Sequence, residues 1–344
     1  MIYICPMQQP SPLISILLPV FNAEKYLEAC LASILQQSYL HWELWAVDDY
    51  STDRSWEILQ HWGEKDTRIF PLKNQESKGV IGALRTAFEA SRGHYLTRMD
   101  ADDLMPPSKL NRLLSLLQNS GPGHVATGKV QYFAEGQVFE GYRRYESWLN
   151  GLMDSGLHYR DIYRECVIPS PCWMVERQDF LRCGAFDLGI YPEDYDLCFR
   201  FYQSGLIVKA DQDVLHLWRD HSSRSSRNSP LYADNRFLAL KCHYFLAINY
   251  QENRPLVIWG AGKKGKLTAQ LLQEKGIEFH WVCNTPSKWG KAIAGVVLQN
   301  TSYVEQLTKP QVLILVANPD EQSHIGLQLS EKGMSAGLDF YFFC

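Results

Sequence analysis

Apolar residues in the first third of the chain alternate between the spacing of strands and the spacing of helices. The apolar run Ile14–Val20 predicts a strand, and the apolar positions from Tyr26 to Leu35 recur every three or four residues, which predicts a helix. The stretch "WELWAVDD" repeats the strand pattern. A second helix should follow it, with Ser51, Thr52 and Asp53 as candidate N-caps.

The same alternation continues to about residue 120. "RIFPLKN" and "GHYLTRMD" predict two more strands, with the helical "VIGALRTAFEASR" between them, and "PPSKLNRLLSLLQNS" predicts a helix with prolines in its first turn. Strands that alternate with helices indicate a mostly parallel sheet covered by helices. Ligands of such sheets bind beyond the carboxyl ends of the strands. The loops "PVFN", "DDYSTD" and "DADD" follow the first, second and fourth strands, so we expect them to meet at one crevice.

A second α/β block follows a less regular middle region. "HVATGKVQYF" is strand-like, residues 142–173 are rich in aromatic side chains, and "LYADNRFLALKCHYFLAINYQ" has helical spacing. After the linker-like "ENRP", the segment "PLVIWGAGKKGKLTAQLLQEKGIEFHWVCN" predicts a strand, a Gly-rich turn, a helix and a strand, and "QVLILVANPDEQSHIGLQLSEKG" adds another strand and helix. We therefore predict a larger α/β domain at 12–229, a helical connector at 230–253 and a smaller α/β domain at 254–344.

Composition narrows the class of protein. The 344 residues exceed the usual size of one hydrophobic core, and a net charge of -4 provides no general attraction to nucleic acid or to an anionic bilayer. Nine cysteines without a CxxC pair indicate reduced thiols. No signal peptide or membrane-length apolar run is evident. We expect a cytoplasmic protein and leave open peripheral contact with the inner face of a membrane.

The segment "RMDADD" places three carboxylates close together after the fourth strand. Asp100, Asp102 and Asp103 repel one another unless a cation or donors offset their charge, and hard oxygen ligands of this kind select Mg²⁺ or Mn²⁺. Because such ions commonly bridge carboxylates to phosphates, the expected ligand is a diphosphate. The structural alternative is that Asp103 caps the next helix and the other acids are solvated. The acids of "DDYSTD" can accept hydrogen bonds from a base or ribose, or can simply cap a helix.

Taken together, these segments resemble the family 2 glycosyltransferases of the GT-A fold over residues 12–222. The resemblance rests on "ISILLPVFNAEKYLEACLASILQQSY", "WELWAVDDYSTDRSWEIL", "NQESKGVIGALRTAFEASRGHYLTRMDADD" and "GAFDLGIYPEDYDLCFRFYQSG". It implies transfer of a sugar from a nucleoside diphosphate donor to an acceptor hydroxyl, with inversion at the anomeric carbon. It also implies that Pro19 and Phe21 border the base pocket, that Asp48 or Asp49 contacts uracil or ribose, that Gly79 forms a turn against the nucleotide, that Asp100 contacts the ribose and that Asp102 holds the metal.

The segment "YPEDYDLCFR" resembles the ED motif of the same family, which implies Asp194 as general base and Glu193 as its neighbour. An attacking hydroxyl loses its proton as the new bond forms, and a carboxylate within reach can accept that proton. A single displacement needs one base and no covalent intermediate. The structural alternative is an ordinary helix start with Pro192 in the first turn.

The segment "LHLWRDHSSRSSR" supplies imidazole and guanidinium groups late in the predicted catalytic domain. The resemblance implies a histidine that completes the metal coordination, with His221 as the candidate and His216 as its rival. Guanidinium groups of Arg219, Arg224 and Arg227 match phosphate oxygens, although a solvated basic loop explains them equally well.

Gly260, Gly262 and Gly265 fit the pattern GxGxxG between a strand and a helix, a context in which backbone N–H groups hold phosphate. A dinucleotide site expects an acid about 20 residues further on, but Cys283 and Asn284 stand there. The segment resembles Rossmann-like domains appended to other enzymes. Three roles stay open for it: a structural or oligomerising module, nucleotide or sugar-nucleotide binding, and redox chemistry.

The sequence thus predicts a metal-dependent inverting glycosyltransferase that uses a UDP-sugar or another nucleotide sugar and a carbohydrate or lipid-linked acceptor. Three alternatives remain. A sugar nucleotidyltransferase has a related fold but a Gly-rich segment where this chain has "PVFNAEKY". An NAD(P)-dependent oxidoreductase would centre on the C-terminal domain. A catalytically inactive binding protein is disfavoured by the intact Asp100, Asp102 and Asp194.

Overall fold

The computed structural model describes residues 11–187, 191–222, 224 and 236–344. Contacts among these residues group them into two units. The first unit comprises 11–156, 168–187 and 204–221, and the second comprises 157–167, 191–203, 222, 224 and 236–344. The predicted boundary at residue 229 and the start of the predicted connector lie outside the described residues. The division into 12–229, 230–253 and 254–344 therefore stays a prediction.

The first unit contains a seven-stranded sheet, and its first four strands match the predicted ones. The strands are β1 Ile14–Val20, β2 Trp42–Asp48, β3 Ile69–Lys73, β4 Tyr95–Arg98, β5 His124–Phe133, β6 Trp173–Glu176 and β7 Ile207–Arg219. They lie in the order β3-β2-β1-β4-β6-β5-β7. All neighbours are parallel except β6, which runs antiparallel to both β4 and β5. The mostly parallel sheet is thus confirmed, with one reversed strand.

The helices of the first unit follow the predicted alternation. They are α1 Leu27–Leu35, α2 Ser55–Lys65, α3 Val80–Ala90, α4 Lys109–Ser120, α5 Glu140–Ser155 and α6 Arg177–Arg182. In α1 the buried residues recur at the spacing expected of a helix with one face against the sheet: Leu27, Cys30, Leu31 and Ile34. Helix α5, within the aromatic-rich stretch, was not predicted.

None of the three predicted N-caps of α2 lies at the cap position. The helix begins at Ser55 with Arg54 at the cap position. Asp53 does accept a hydrogen bond from the Ser55 N–H at 2.9 Å, but Ser51 and Thr52 bond to Asn22, in the loop after β1. The polar run after β2 therefore joins two loops instead of only starting a helix.

The second unit contains a six-stranded sheet in the predicted Rossmann-like block. Its strands are β8 Leu256–Trp259, β9 His280–Val282, β10 Ala292–Ile293, β11 Val296–Gln299, β12 Gln311–Ile314 and β13 Phe340–Phe342, in the order β10-β11-β9-β8-β12-β13. Its helices are α7 Glu193–Gln203, α8 Arg236–Tyr244, α9 Lys263–Glu274 and α10 Pro319–Glu331. No helix in the described ranges is both long and apolar enough to cross a membrane.

Helix α7 is held by Tyr244, the last residue of α8. Phe199 stacks on Tyr244 with ring centroids 4.6 Å apart. Asp196 accepts hydrogen bonds from Tyr244 Oη at 2.7 Å and from Arg200 at 2.8 Å. Burial and the bond to Asp196 raise the pKa of the Tyr244 hydroxyl, so this hydroxyl remains a donor. The helix that carries Asp194 is therefore part of the second unit.

Candidate active site

The loops after β1 and β2 meet at the carboxyl edge of the first sheet, as predicted. Oδ1 of Asn22 accepts from the Thr52 N–H at 2.8 Å, and Oγ of Ser51 accepts from the Asn22 N–H at 3.0 Å. The Glu24 N–H donates to Asp53 at 3.0 Å. These side chains tie the two loops together because each satisfies a backbone donor of the other loop.

Asp49 ties the loop after β2 to the start of α3. Its two carboxylate oxygens accept from the Gly79 N–H at 3.0 and 2.9 Å, and Oδ1 also accepts from the Asn74 amide at 2.7 Å. Gly79 has a φ of 136°, in the region that favours glycine, and a side chain there would meet open space. Asp49 thus shapes the turn at Gly79 through internal hydrogen bonds.

Asp48 differs from its neighbour. Only 5% of the residue is exposed, and within the described part of the chain its Oδ1 has no hydrogen-bond partner. A buried carboxylate oxygen without a donor is unfavourable, so this atom is suited to accept a hydrogen bond from a bound ligand. The sequence left Asp48 and Asp49 as alternatives, and the geometry favours Asp48 as the group that contacts a ligand.

Two further predicted donor-site residues lie at the end of β1. Pro19 is half-buried within the strand, and Phe21 in the following loop is 49% exposed. Nζ of Lys78 lies 4.4 Å from the centroid of the Phe21 ring, a cation–π contact between the loops after β1 and β3.

Each carboxylate of the acidic cluster has its own protein partner. Oδ1 of Asp100 lies 2.7 Å from Arg98 Nε, Oδ2 of Asp102 lies 2.8 Å from His221 Nε2, and Oδ2 of Asp103 lies 2.9 Å from His216 Nε2. The protein itself therefore offsets part of the repulsion that the sequence assigned to a metal. The alternative in which Asp103 caps the next helix is wrong, because α4 begins at Lys109 with Ser108 at the cap position.

Asp102 and His221 form the accessible pair of this cluster, with 29% and 13% of their side chains exposed. Arg219 lies beside them: its Nε donates to the Asp102 carbonyl at 2.7 Å. The guanidinium carbon lies 4.7 Å from the Tyr26 ring centroid and 4.5 Å from that of Phe133. Two aromatic rings and one carbonyl thus hold the guanidinium in a single orientation.

The donor atoms of Asp102 and His221 fit a Mn²⁺ or Mg²⁺ ion that keeps other ligands. Among the described residues, no three His, Cys, Asp or Glu side chains converge closely enough to form a complete metal site. Ions of this class retain several waters and bind phosphates with few protein ligands, so a carboxylate and an imidazole are a suitable donor set.

His216, the rival to His221, does not fit as a metal ligand. The residue is fully buried, its Nε2 contacts Asp103, and its Nδ1 lies 3.2 Å from Lys109 Nζ. Both ring nitrogens are therefore engaged inside the protein.

Glu193 and Asp194 lie in the first turn of α7, in the second unit. Oδ1 of Asp194 accepts from the Tyr195 N–H at 2.8 Å, and Asp194 is half-buried whereas Glu193 is only 9% exposed. A helix does begin here, as in the structural alternative, but it starts at Glu193, so Pro192 precedes the first turn instead of lying in it. Arg227, one of the arginines named above, lies outside the described residues.

Comparison with known proteins identifies the family. Residues 15–184 match the model of Glycosyl transferase family 2. This segment belongs to the family 2 glycosyltransferases. This segment contains Asp48, Asp49, Gly79, Asp100 and Asp102.

Curated relatives and solved structures agree with this assignment. This chain is 36% identical over 167 residues to the putative teichuronic acid biosynthesis glycosyltransferase TuaG of Bacillus subtilis, a match that covers 48% of this chain and 63% of that protein. Matches to the first three curated relatives span 63%, 44% and 51% of their lengths.

Two solved structures share its fold. S. aureus TarS in complex with UDP-GlcNAc has a TM-score of 0.56 at 16% identity, covering 76% of this chain and 72% of that chain. The Pyrobaculum calidifontis mannosyltransferase PcManGT in complex with GDP-Man and Mn²⁺ has a TM-score of 0.51 at 19% identity, covering 76% and 68%. The predicted GT-A fold is confirmed.

The glycine-rich turn after β8 opens onto a cleft of about 480 Å³ at the carboxyl ends of β8, β9 and β12. Its lining includes Gly260 and Gly262 together with Lys263, Lys264 and Lys288. Asn284 also lines it, but its Oδ1 already accepts from Trp259 Nε1 at 3.0 Å. A dinucleotide site needs a free carboxylate at this position. Here the position is occupied by Asn284, whose amide oxygen is bonded to Trp259 of β8.

Sequence reasoning missed several residues that build the main site. Arg98 pairs with Asp100, Asn74 bonds to Asp49, and Tyr26 contacts both His221 and Arg219. Asn74 and Arg98 carried a usable signal, because each lies where a parallel strand ends. Tyr26 carries no such signal, because its place in the sequence matches that of an apolar position of the α1 pattern.

Proposed function

We propose that this family 2 glycosyltransferase moves a sugar from a nucleoside diphosphate sugar, most simply a UDP-sugar, to a hydroxyl of a carbohydrate or lipid-linked acceptor, with inversion and with a divalent metal. The observation that carries the proposal is the accessible Asp102–His221 pair, 2.8 Å apart, beside the fixed guanidinium of Arg219. A cytoplasmic location, with peripheral contact at the inner face of a membrane, stays a prediction.

Donor binding is assigned to the loops at the ends of β1, β2 and β4. Asp48 would accept a hydrogen bond from the base or ribose with its buried, unpartnered Oδ1. Pro19 and Phe21 would border the base, and Asp100 would contact the ribose. Asp49 and Gly79 would keep the turn open for the nucleotide, because their bonds to each other fix its backbone.

Asp102 and His221 would hold a Mn²⁺ or Mg²⁺ ion. When bound, such an ion neutralises charge on the diphosphate as it leaves. The guanidinium of Arg219, whose Nε donates to the Asp102 carbonyl, would pair with phosphate oxygens. Complexes of the two related structures contain UDP-GlcNAc in one and GDP-Man with Mn²⁺ in the other, which supports a nucleotide-sugar donor.

Asp194 would act as the general base, with Glu193 beside it. The acceptor oxygen forms its bond to the anomeric carbon while the bond to the diphosphate breaks, and the hydroxyl proton passes to the Asp194 carboxylate. Support comes from the position of both acids in the first turn of α7 and from the half-buried state of Asp194.

Nucleotide or sugar-nucleotide binding at Gly260, Gly262 and Gly265 remains a prediction, supported by the lysine-lined cleft. The alternative of an NAD(P)-dependent oxidoreductase is not favoured. The family match ends at residue 184, before the glycine-rich turn, and Asn284 is bonded to Trp259 where a ribose-binding acid would be needed.

A screen of nucleotide sugars tests the proposal directly. The enzyme is incubated with UDP- and GDP-sugars and Mn²⁺, and free nucleoside diphosphate is measured with and without EDTA. We expect release from one class of donor that EDTA abolishes. Release that is unchanged in EDTA would contradict the metal role. If no donor releases diphosphate but the protein oxidises added NAD(P)H, sugar transfer would be contradicted.

A further inference from the structure

Asp103 of the acidic cluster is the first of three buried ionisable side chains that lie in a row, followed by His216 and Lys109. Lys109 and His216 are fully buried and Asp103 is 1% exposed. Nζ of Lys109 donates to the Pro171 carbonyl at 2.6 Å and lies 3.2 Å from His216 Nδ1, and His216 Nε2 lies 2.9 Å from Asp103 Oδ2. Placing charges away from water is costly unless they are paired and hydrogen-bonded, and in this row each ionisable group has a hydrogen-bond partner.

The donors and acceptors in the row fix the proton on His216. A lysine ammonium has donors only, so Nδ1 of His216 accepts from Lys109. The ring proton therefore lies on Nε2, which donates to Asp103. Lys109 at one end and Asp103 at the other carry opposite charges, and the neutral imidazole connects them.

The row ends at the backbone that carries the metal-binding candidates. The second oxygen of Asp103 accepts from the Arg219 N–H at 2.7 Å. Leu104 and Leu217 exchange two backbone hydrogen bonds of 3.0 Å, which join the same loop to β7. Asp102 precedes Asp103, and His221 follows Arg219 by two positions. Their spacing is therefore set by how firmly Asp103 is held against the end of β7.

We propose that His216 is a positioning residue for the metal site: its Nε2–H holds Asp103, and this bond sets the separation of Asp102 and His221. The inference rests on the proposed function, because it assumes that these two side chains bind a divalent cation. Partners outside the ligand shell orient the ligands, and removing one typically weakens metal binding by roughly 10- to 100-fold.

Two amide variants of His216 differ by one methylene and test the inference. In His216→Gln the side-chain N–H reaches the position of Nε2 and can donate to Asp103. In His216→Asn the shorter amide reaches only the position of Nδ1, so it can accept from Lys109 but leaves Asp103 without this donor. His61→Asn, at an exposed position of α2, is the control for the chemical change.

Calorimetry of UDP binding with and without Mn²⁺, together with thermal melting, gives the readout. We expect His216→Gln and His61→Asn to bind UDP with Mn²⁺ like the wild type, and His216→Asn to bind roughly 10- to 100-fold more weakly. Binding without Mn²⁺ should be the same in all four proteins. Equal affinity in both His216 variants, whether retained or lost, would overturn the inference.

A second variant keeps the test decisive if His216→Asn does not fold. Asp103→Asn keeps the shape and the oxygen facing the Arg219 N–H, but it places an amide donor against Nε2–H. The same loss of Mn²⁺-dependent affinity is expected, and wild-type affinity in this variant would overturn the inference. If the wild type itself binds UDP without any effect of Mn²⁺, the proposed function fails and not the role of His216 alone.

Discussion

Both carboxylate oxygens of Asp49 accept the backbone N–H of Gly79, whereas the adjacent Asp48 has a buried oxygen without a partner in the described chain. Two neighbouring acids at the end of one strand thus have different tasks. Both carboxylate oxygens of Asp49 bond within the protein, whereas Oδ1 of Asp48 can still accept a hydrogen bond from a ligand.

Alanine at each position should separate these tasks. Asp49→Ala leaves the Gly79 N–H and the Asn74 amide without their acceptor, so we expect a loss of about 1.5–3 kcal/mol in the free energy of unfolding. Asp48→Ala removes an unsatisfied oxygen, so stability should hardly change while UDP affinity falls by about tenfold or more. Denaturant unfolding and calorimetry measure the two effects, and identical profiles for the two variants would refute the distinction.

His221→Asn tests the metal pair. An asparagine side chain does not reach the position of Nε2, so the contact with Asp102 Oδ2 is lost. Because removal of a direct ligand should cost at least as much as removal of an outer partner, we expect Mn²⁺-dependent UDP binding to weaken by more than ~10-fold. His124→Asn, at the start of β5, serves as a matched control, and equal affinities for the two variants would exclude His221 as a ligand.

Asp194→Asn tests the proposed base. The amide keeps the shape of the side chain but cannot accept the hydroxyl proton, so transfer should fall at least ~100-fold while donor binding persists. Asp196→Asn in the same helix should instead lower stability, because it weakens the bonds to Arg200 and Tyr244. Transfer rates, donor affinity and melting temperature distinguish the two. Normal turnover by Asp194→Asn would place the base elsewhere.

Alanine substitutions in the glycine-rich turn should differ strongly in stability. A Cβ at Gly265 would lie 2.1 Å from the Gly260 carbonyl oxygen, whereas a Cβ at Gly262 meets nothing within 4 Å. Overpacking of this kind typically costs about 1–3 kcal/mol, so Gly265→Ala should lower the melting temperature and Gly262→Ala should not. Equal melting temperatures would show that the turn relaxes freely.

The strand-helix alternation of the first 120 residues was predictable because its signals are local. Ile14–Val20 is apolar throughout and α1 has buried residues at helical spacing, so each element is visible without knowledge of its neighbours. The meeting of the loops after β1 and β2 followed from the parallel sheet alone.

The pairing of β5, β6 and β7 could not be predicted in the same way. Strand β6 has four residues and reverses direction, and β7 is interrupted by a register shift opposite Gly128 and Lys129. The choice between His216 and His221 depended on this pairing. Only the position of β7 shows that His216 lies in the core and that His221 lies just after the strand, beside Asp102.

Tyr163 stacks on Phe343 with ring centroids 5.1 Å apart, and Lys241 Nζ donates to the Phe343 carbonyl at 3.4 Å. The last few residues of the polypeptide thus belong to the same assembly as the helix carrying Asp194. A gene shortened to the family-matching segment, residues 15–184, would therefore omit both α7, which carries Asp194, and Phe343. A shortened version of the protein should therefore keep Phe343 and be reduced inside the C-terminal region instead of at its end.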